Sequence, residues 1–559
     1  MKRTLVGAAV AAATLVALAA PAAAHATLEA TRPASGAELA EAPGEVVLVF
    51  SEPVEVSLGA IRVYDANADR VDTGDARHPD GAGDRVAQAL PADLADGSYV
   101  VTWRVTSADA HPVHGAFTFQ VGDTATGDSG ALARQLLAAD DGSSAVGALY
   151  AASRFVVFLS LLVLVGASAF CLVAWPDGFG VGRVRRLLWW TWAVAVGATA
   201  LSVGAQGAFA GALPLADVFD PTVVSSVLDT RFGRVALARL VLLALTGAAL
   251  FASGRREDPG ASPPNGARLA LGLLGLALLL TPGLGGHAAT GDLVPVAVLA
   301  DLVHLGAAAL WLGGLVLLVG VVLPRRDPDE LARVVPRFSA LAFAAVVALV
   351  VTGAFQSWRQ VGSLDALTST TYGRLLTVKL ALFVVMVGFG YLGRRWVQRG
   401  YVAPTADEDP VDEEAVVSGY RRSIRVETAI GVAILAVTAL LVNAQPARSA
   451  LAQPFSTELE AEDLLIDLTI DPAKAGATEV HVYTLSPLGA VEDVSDLSVE
   501  LTLPSEDIGP LDVPLQRAGP GHFSAYDFDL PIAGEWQIDV KALIDEFTEV
   551  TATDTVEVR

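Results

Sequence analysis

The chain has 559 residues, 53% of them hydrophobic, with a mean hydropathy of +0.51 and a formal net charge of −24. That size and apolar content exclude a single soluble domain, and the acidic balance repels nucleic acid. One cysteine, Cys171, excludes an intramolecular disulfide and a thiolate metal cluster.

Met1-Lys2-Arg3 is a positive start, Leu5 to Ala20 an apolar run, and Ala22-Ala23-Ala24 a small-residue cleavage pattern, so residues 1–24 read as a secretory signal peptide. Cleavage there makes His25 the N-terminus. A terminal histidine offers an amine and an imidazole from one residue, a pair that suits tetragonal Cu(II). Equally, a histidine can simply follow the cut.

The next cluster is Ser107-Ala108-Asp109-Ala110-His111-Pro112-Val113-His114-Gly115. Asp109 and His111 are two apart, and Pro112 biases His111 toward an extended backbone, so both side chains can point to one side. With the two nitrogens of His25 they complete an N,N,N,O set, which favours Cu(II) over Ca²⁺ or a thiolate-bound ion. His114 is an alternative or additional ligand. Taken without His25, the same residues read as a polar turn before a final strand.

Residues 25–122 resemble the CopC family of secreted copper-binding β-barrels, through the N-terminal histidine, Ser51-Glu52-Pro53-Val54 and the closing Asp-x-His-Pro-Val-x-Gly. The resemblance implies an all-β Greek-key barrel or sandwich whose Cu(II) ligands are His25 with its amine, Asp109 and His111. It assigns no fixed role to His114. Some relatives also hold Cu(I) on a methionine-rich loop, but the only methionines here are Met1 and Met386. A thioether Cu(I) site in this domain is therefore not expected. Residues 123–147, rich in Gly, Asp, Ala and Ser, read as a linker with a short helical patch.

Eight segments are long and apolar enough to cross a bilayer, which takes about 20 residues each. They lie near 148–174, 187–211, 234–253, 268–286, 296–323, 338–357, 375–397 and 424–444. If the signal peptide sends the first domain outside, the odd-numbered loops are cytoplasmic and should be rich in Lys and Arg. They are: Arg183, Arg185 and Arg186, then Arg255 and Arg256, Arg325 and Arg326, and Arg394 and Arg395 all fall there. Eight spans return the C-terminus to the outside. The two extracytoplasmic parts carry the acidity, with 16 acidic against 6 basic residues in 25–125 and 23 against 5 in 446–559. Such surfaces attract cations by field, and are equally what a solvated surface looks like.

Ionisable groups inside the spans matter most for transport, because a charge at the bilayer centre costs roughly 2.5–3.5 kcal/mol on insertion scales. Asp301 and His304, three apart in the fifth span, share a helix face that Trp311 extends. From an outer end near 296, His304 lies roughly 12 Å down. His287, at the outer end of the fourth span, can sit above it, giving a carboxylate and imidazole path leading inward. The competing reading makes Asp301 and His304 a packing pair and His287 a loop residue. Arg154, Arg239, Lys379 and Glu427 lie near helix ends or within a few turns of them, where snorkelling or interhelical pairing explains them.

Residues 148–445 resemble the CopD family of membrane proteins, through Asp301-Leu302-Val303-His304, Trp311-Leu312-Gly313-Gly314, Arg337-Phe338-Ser339, Thr352-Gly353 and Tyr372-Gly373-Arg374 in order on successive spans. The resemblance implies copper passage across the membrane with membrane histidines as ligands. No Gly-x-x-x-x-Gly-Lys-Ser/Thr, Cys-Pro-Cys or Asp-Lys-Thr-Gly sequence occurs, so ATP-driven pumping is not expected.

Residues 455–559 alternate with period two over 464–470, 479–485, 497–503, 522–530 and 535–543, the signature of a β-sandwich. Gly521-His522-Phe523 and Gly534-Glu535-Trp536 resemble YtkA-like domains. His481 and His522 can bind a second copper or be ordinary strand histidines.

The sequence thus reads as a multi-domain copper protein in the cell membrane: a CopC-like β domain, an eight-helix bundle and a C-terminal β-sandwich. No catalytic activity is expected. Copper captured outside as Cu(II) would pass inward, with a chaperone on either side as a partner. A sequestration or resistance protein that does not transport is the alternative. An oxidative copper enzyme ranks last, since Asp109 would fill the position that oxygen needs.

Overall fold

The computed structural model describes residues 26, 28–34, 36–50, 52–56, 60–107, 112–122, 132–133, 135–136, 144–254, 265–286, 293–397, 413–444, 446–448, 455–462, 464–486, 491–519, 521–545 and 548–558. The signal-peptide reading and most of the linker reading fall outside them.

Alternation builds the N-terminal domain. Its strands are β1 (Leu28–Arg32), β2 (Ala37–Leu39), β3 (Glu45–Phe50), β4 (Val54–Glu55), β5 (Ile61–Tyr64), β6 (Thr73–Arg77), β7 (Arg85–Ala89), β8 (Gly97–Ser107) and β9 (Pro112–Val121). They form one sheet in the order β1-β3-β7-β6 and another in the order β2-β9-β8-β4, with β5 also on β8. Along β3, Val46, Leu48 and Phe50 point inward while their neighbours do not, the period-two pattern of a half-covered strand. Phe50 meets Trp103 of β8 edge-on, at 5.4 Å between ring centres and 70° between planes, and so ties the two sheets to one core.

Among the described residues, eight helices have the length and hydropathy of membrane spans. We label them α1 (Ser144–Val173), α2 (Gly182–Ala210), α3 (Arg231–Gly254), α4 (Asn265–Leu284), α5 (Val294–Leu317), α6 (Pro328–Val361), α7 (Thr371–Val397) and α8 (Glu413–Asn443). Each overlaps most of the apolar run that predicts it, with ends that differ by up to several residues, and the bundle is the eight-helix one expected. A helix satisfies its own backbone hydrogen bonds, which is why long apolar runs adopt this form in lipid. α1 and α5 form the close centre, where Gly166 of α1 and Gly313 of α5 bring the two backbones together. Gly314 makes room for the ring of Phe338 on α6, which meets Phe170 of α1 at 5.7 Å. Gly285 and Gly286, just past the end of α4, have only ordinary neighbours.

The C-terminal part is β-rich, as its alternation predicts. Its strands are β10 (Phe455–Ala461), β11 (Leu464–Asp471), β12 (Gly476–Leu485), β13 (Asp496–Leu503), β14 (Ile508–Asp512), β15 (Gln516–Gly519), β16 (His522–Leu530), β17 (Gly534–Leu543) and β18 (Glu549–Val558). One sheet runs β10-β11-β12-β16-β15 and the other β14-β13-β17-β18. Inward residues of both, among them Ile466, Val480, Leu501 and Trp536, share one core.

Candidate metal sites

In the N-terminal domain, His25, Asp109 and His111 lie outside the described residues, but the frame around them is clear. The chain leaves β8 at Ser107 and re-enters β9 at Pro112, which pairs with Thr106. The Ser107 hydroxyl donates to Glu52 Oε1 at 3.0 Å, Val54 pairs with Ser107, and the Val54 amide donates to the Gly83 carbonyl at 2.9 Å. Glu52-Pro53-Val54 therefore pins the strand end from which Asp109 and His111 follow. On the far side, Gly115 lies beneath the Trp103 indole, where a Cβ would come within 2.6 Å of the ring. A glycine is required there for Trp103 to reach Phe50. His114 is described: it is exposed on β9, opposite Arg104 of β8.

In the bundle, Asp301 and His304 of α5 both turn to α6. Gln356 Nε2 donates to Asp301 Oδ1 at 3.1 Å, and His304 Nδ1 lies 2.8 Å from Thr352 Oγ1. The α5 pair is spaced by three and the α6 pair by four, so each helix presents one polar stripe to the other. The second carboxylate oxygen of Asp301 faces α4, where a Cβ on Gly283 would stand 2.5 Å from it. Lys379 of α7 is close enough for its charge to act on both Asp301 and His304. His287 lies outside the described residues. Trp311 sets its ring over Gly431 of α8.

Thr352 fixes the state of His304. Its hydroxyl donates to the Ala348 carbonyl at 2.7 Å, and a hydroxyl has only one proton. Toward His304 it must accept, so Nδ1 carries the ring hydrogen and Nε2 keeps a lone pair. Holding one ring nitrogen by a hydrogen bond so that the other can ligate is how proteins orient metal-binding histidines. Among the described residues, no group of three or more His, Cys, Asp or Glu side chains comes together. Asp301 and His304 are thus a two-residue polar station inside a span.

Arg239, Arg154 and Glu427 have partners of the packing kind. Arg239 Nε of α3 donates to Thr281 Oγ1 of α4 at 2.8 Å, joining two helices, and the guanidinium of Arg154 lies 5.4 Å from the Tyr150 ring centre. Ser423 donates to Glu427 Oε1 at 3.4 Å, one turn away on α8.

Three family models match. They are the CopC domain over residues 28–122, the "Copper resistance protein D-like, N-terminal domain" over 144–295 and "Copper resistance protein D" over 332–441. The "Copper transport protein CutJ" of Bacillus subtilis (strain 168) is 28% identical over 542 residues, 94% of each chain. "Protein YobA" of Escherichia coli (strain K12) is 32% identical over 98 residues, 18% of this chain and 79% of YobA. This chain belongs to the CopC–CopD family, both parts fused in one polypeptide.

The CopC match ends at Gly122, one residue past β9, and the two CopD matches cover α1 to α4 and α6 to α8. Between them falls α5 from residue 296 onward, with Asp301 and His304. "Inner membrane protein YebZ" of Escherichia coli (strain K12) is 28% identical over 306 residues, 53% of this chain and 97% of YebZ. The CopC–CopD fusion is a multi-pass membrane protein connected with copper.

Sequence reasoning missed Thr352 and Gln356 as partners of the α5 pair, although Thr352-Gly353 stood out as a motif. Two polar side chains four apart in an otherwise apolar run were the available signal.

Proposed function

We propose that this CopC–CopD fusion captures Cu(II) outside the cell through His25, Asp109 and His111 and passes copper inward through the bundle, with Asp301 and His304 on the path. It is a transporter with no catalytic activity, and both terminal domains face the outside. The name of the relative CutJ and the full-length alignment with it support transport. The observation that carries the membrane half is the Ala348–Thr352–His304 relay, which leaves Nε2 of a span histidine with a lone pair. An imidazole in that state accepts a metal ion without first losing a proton. Asp301, held by Gln356 beside it, supplies negative charge to balance a cation in the low-dielectric interior.

Copper normalised to membrane protein tests this. His304→Ala and Asp301→Asn should each abolish copper accumulation with the protein still present at near-normal levels. Unchanged normalised uptake in both variants removes the pair from the path. If the residues serve packing alone, abundance falls first, since a stranded buried polar group costs about 1–3 kcal/mol.

A second reading, copper sequestration without passage, gains support from the two-residue size of the membrane station. A deletion strain separates the two: transport inward predicts lower cell copper than the parent at equal external copper, whereas sequestration outside predicts equal or higher.

A further inference from the structure

We propose that His481 and His522 on the C-terminal sandwich form a second Cu(II) site, independent of the one at His25. His481 lies on β12 and His522 on β16, and the pairs His481–Ser524 and Tyr483–His522 make the two histidines diagonal neighbours on one outward face. Their nitrogens, His481 Nδ1 and His522 Nε2, stand 3.4 Å apart. The ring centres are 5.7 Å apart with planes inclined by 24°, so the separation exceeds the nitrogen gap by about one ring width and the two nitrogens face each other.

The spacing nearly fits an ion. Imidazole nitrogens bind at about 2.0–2.1 Å, so two of them at neighbouring corners of a tetragonal Cu(II) ion stand about 2.9 Å apart, about 0.5 Å closer than the 3.4 Å found here. The histidines therefore need a small rotation to point at a shared ion beside the line joining them, without strand movement.

The surroundings orient the rings for that role. Glu479 Oε2 lies 3.6 Å from Nε2 of His481, the nitrogen remote from His522. A carboxylate at the far nitrogen favours a hydrogen there and a lone pair at Nδ1, the arrangement found behind metal-binding histidines. Tyr483 stacks flat on His522, at 4.2 Å between ring centres and 9° between planes, and fixes the plane of that ring. Tyr526 stands edge-on to His481 at 5.8 Å. Two imidazoles suit a divalent ion of the borderline class, among which Cu(II) binds such sites most strongly.

The test uses the full chain in detergent, with Cu(II) alone as probe, and reads bound copper by equilibrium dialysis and metal analysis. An Asp109→Asn, His111→Ala, His304→Ala variant, which lacks the ligands proposed in the other two parts, should keep one equivalent, which His481→Ala or His522→Ala added to it should remove. Glu479→Gln in that background should weaken binding about tenfold while the equivalent persists. Thermal unfolding of each variant shows that the sandwich is intact. If the intact chain and a folded His481→Ala, His522→Ala variant bind equal copper, the pair is a sheet-surface hydrogen bond and the proposal fails. Because it builds on the copper reading but on other residues, loss of an equivalent on altering Asp109 and His111 and loss on altering His481 and His522 are counted separately.

Discussion

Gly166 of α1 and Gly313 of α5 lie back to back where the two helices cross: a Cβ on Gly313 would stand 2.6 Å from the Gly166 Cα, and one on Gly166 would run into the Ala309 carbonyl. Backbone rather than side chain fills the space, so nothing there can swing aside. Gly313→Val or Gly166→Val should destabilise the bundle by about 1–3 kcal/mol or more, the range for overpacking. Thermal unfolding in detergent should show it, while Gly306→Ala, whose Cβ meets open space, should leave the transition where it is.

Thr352→Val should test the orientation of His304. Valine keeps the shape but removes the acceptor for Nδ1–H, so the imidazole loses its fixed tautomer, a class of change that typically costs 10–100-fold in metal affinity. Copper uptake at limiting external copper should fall on that scale, with normal abundance. Thr352→Ser, which retains the hydroxyl, should restore uptake; equal loss in both variants would mean that methyl packing, not the hydrogen bond, matters.

A residue placed before His25 should erase the tetragonal Cu(II) spectrum of the N-terminal site, because it converts the amine into an amide. Electron paramagnetic resonance on the full chain carrying His481→Ala and His522→Ala isolates that signal. In the same preparation, competition with a Cu(I) chelator should leave the N-terminal domain without Cu(I), as no sulfur ligand occurs in residues 25–125.

Asp467 gives the C-terminal sandwich a pH dependence. On β11 it lies between Glu458 and Tyr483 on neighbouring strands, and burial, with Glu458 adding to it, pushes its carboxyl up to about 6. The folded protein then holds a proton that the unfolded chain releases near pH 4, so stability falls as pH rises from about 4 to about 6. Asp467→Asn should flatten that slope and add about 1–2 kcal/mol at pH 7 after allowance for solvent screening. Hydrogen exchange of β11 and β12 across the range measures it; a slope unchanged by Asp467→Asn assigns the effect elsewhere.

Sequence and structure agree where one variable governs the outcome. Hydropathy over some twenty residues marks all eight spans, and period-two alternation marks β11, β12, β13, β16 and β17. The remaining strands of that sandwich carry weaker signals: β14 contains Gly509 and Pro510, and β18 alternates with threonines and Asp554 where apolar contrast would be sharper. Contacts between helices were harder to read, because they depend on how far each helix is turned about its axis. Asp301 and His304 share a face as spacing predicts, yet their partners lie 55 and 48 residues away. Gly166 stands inside a run of valines, leucines and alanines, where its role shows only once α5 is set against it.

The bond from His304 to Thr352 also bears on how copper and protons would share the bundle if copper takes the proposed path. With Nδ1–H committed to the threonine, the ring has one basic position, Nε2, which holds a proton or a metal ion and never both. On the path proposed above, copper and hydrogen ions would compete for that single position in the fifth span, so copper entry there would require Nε2 to be unprotonated.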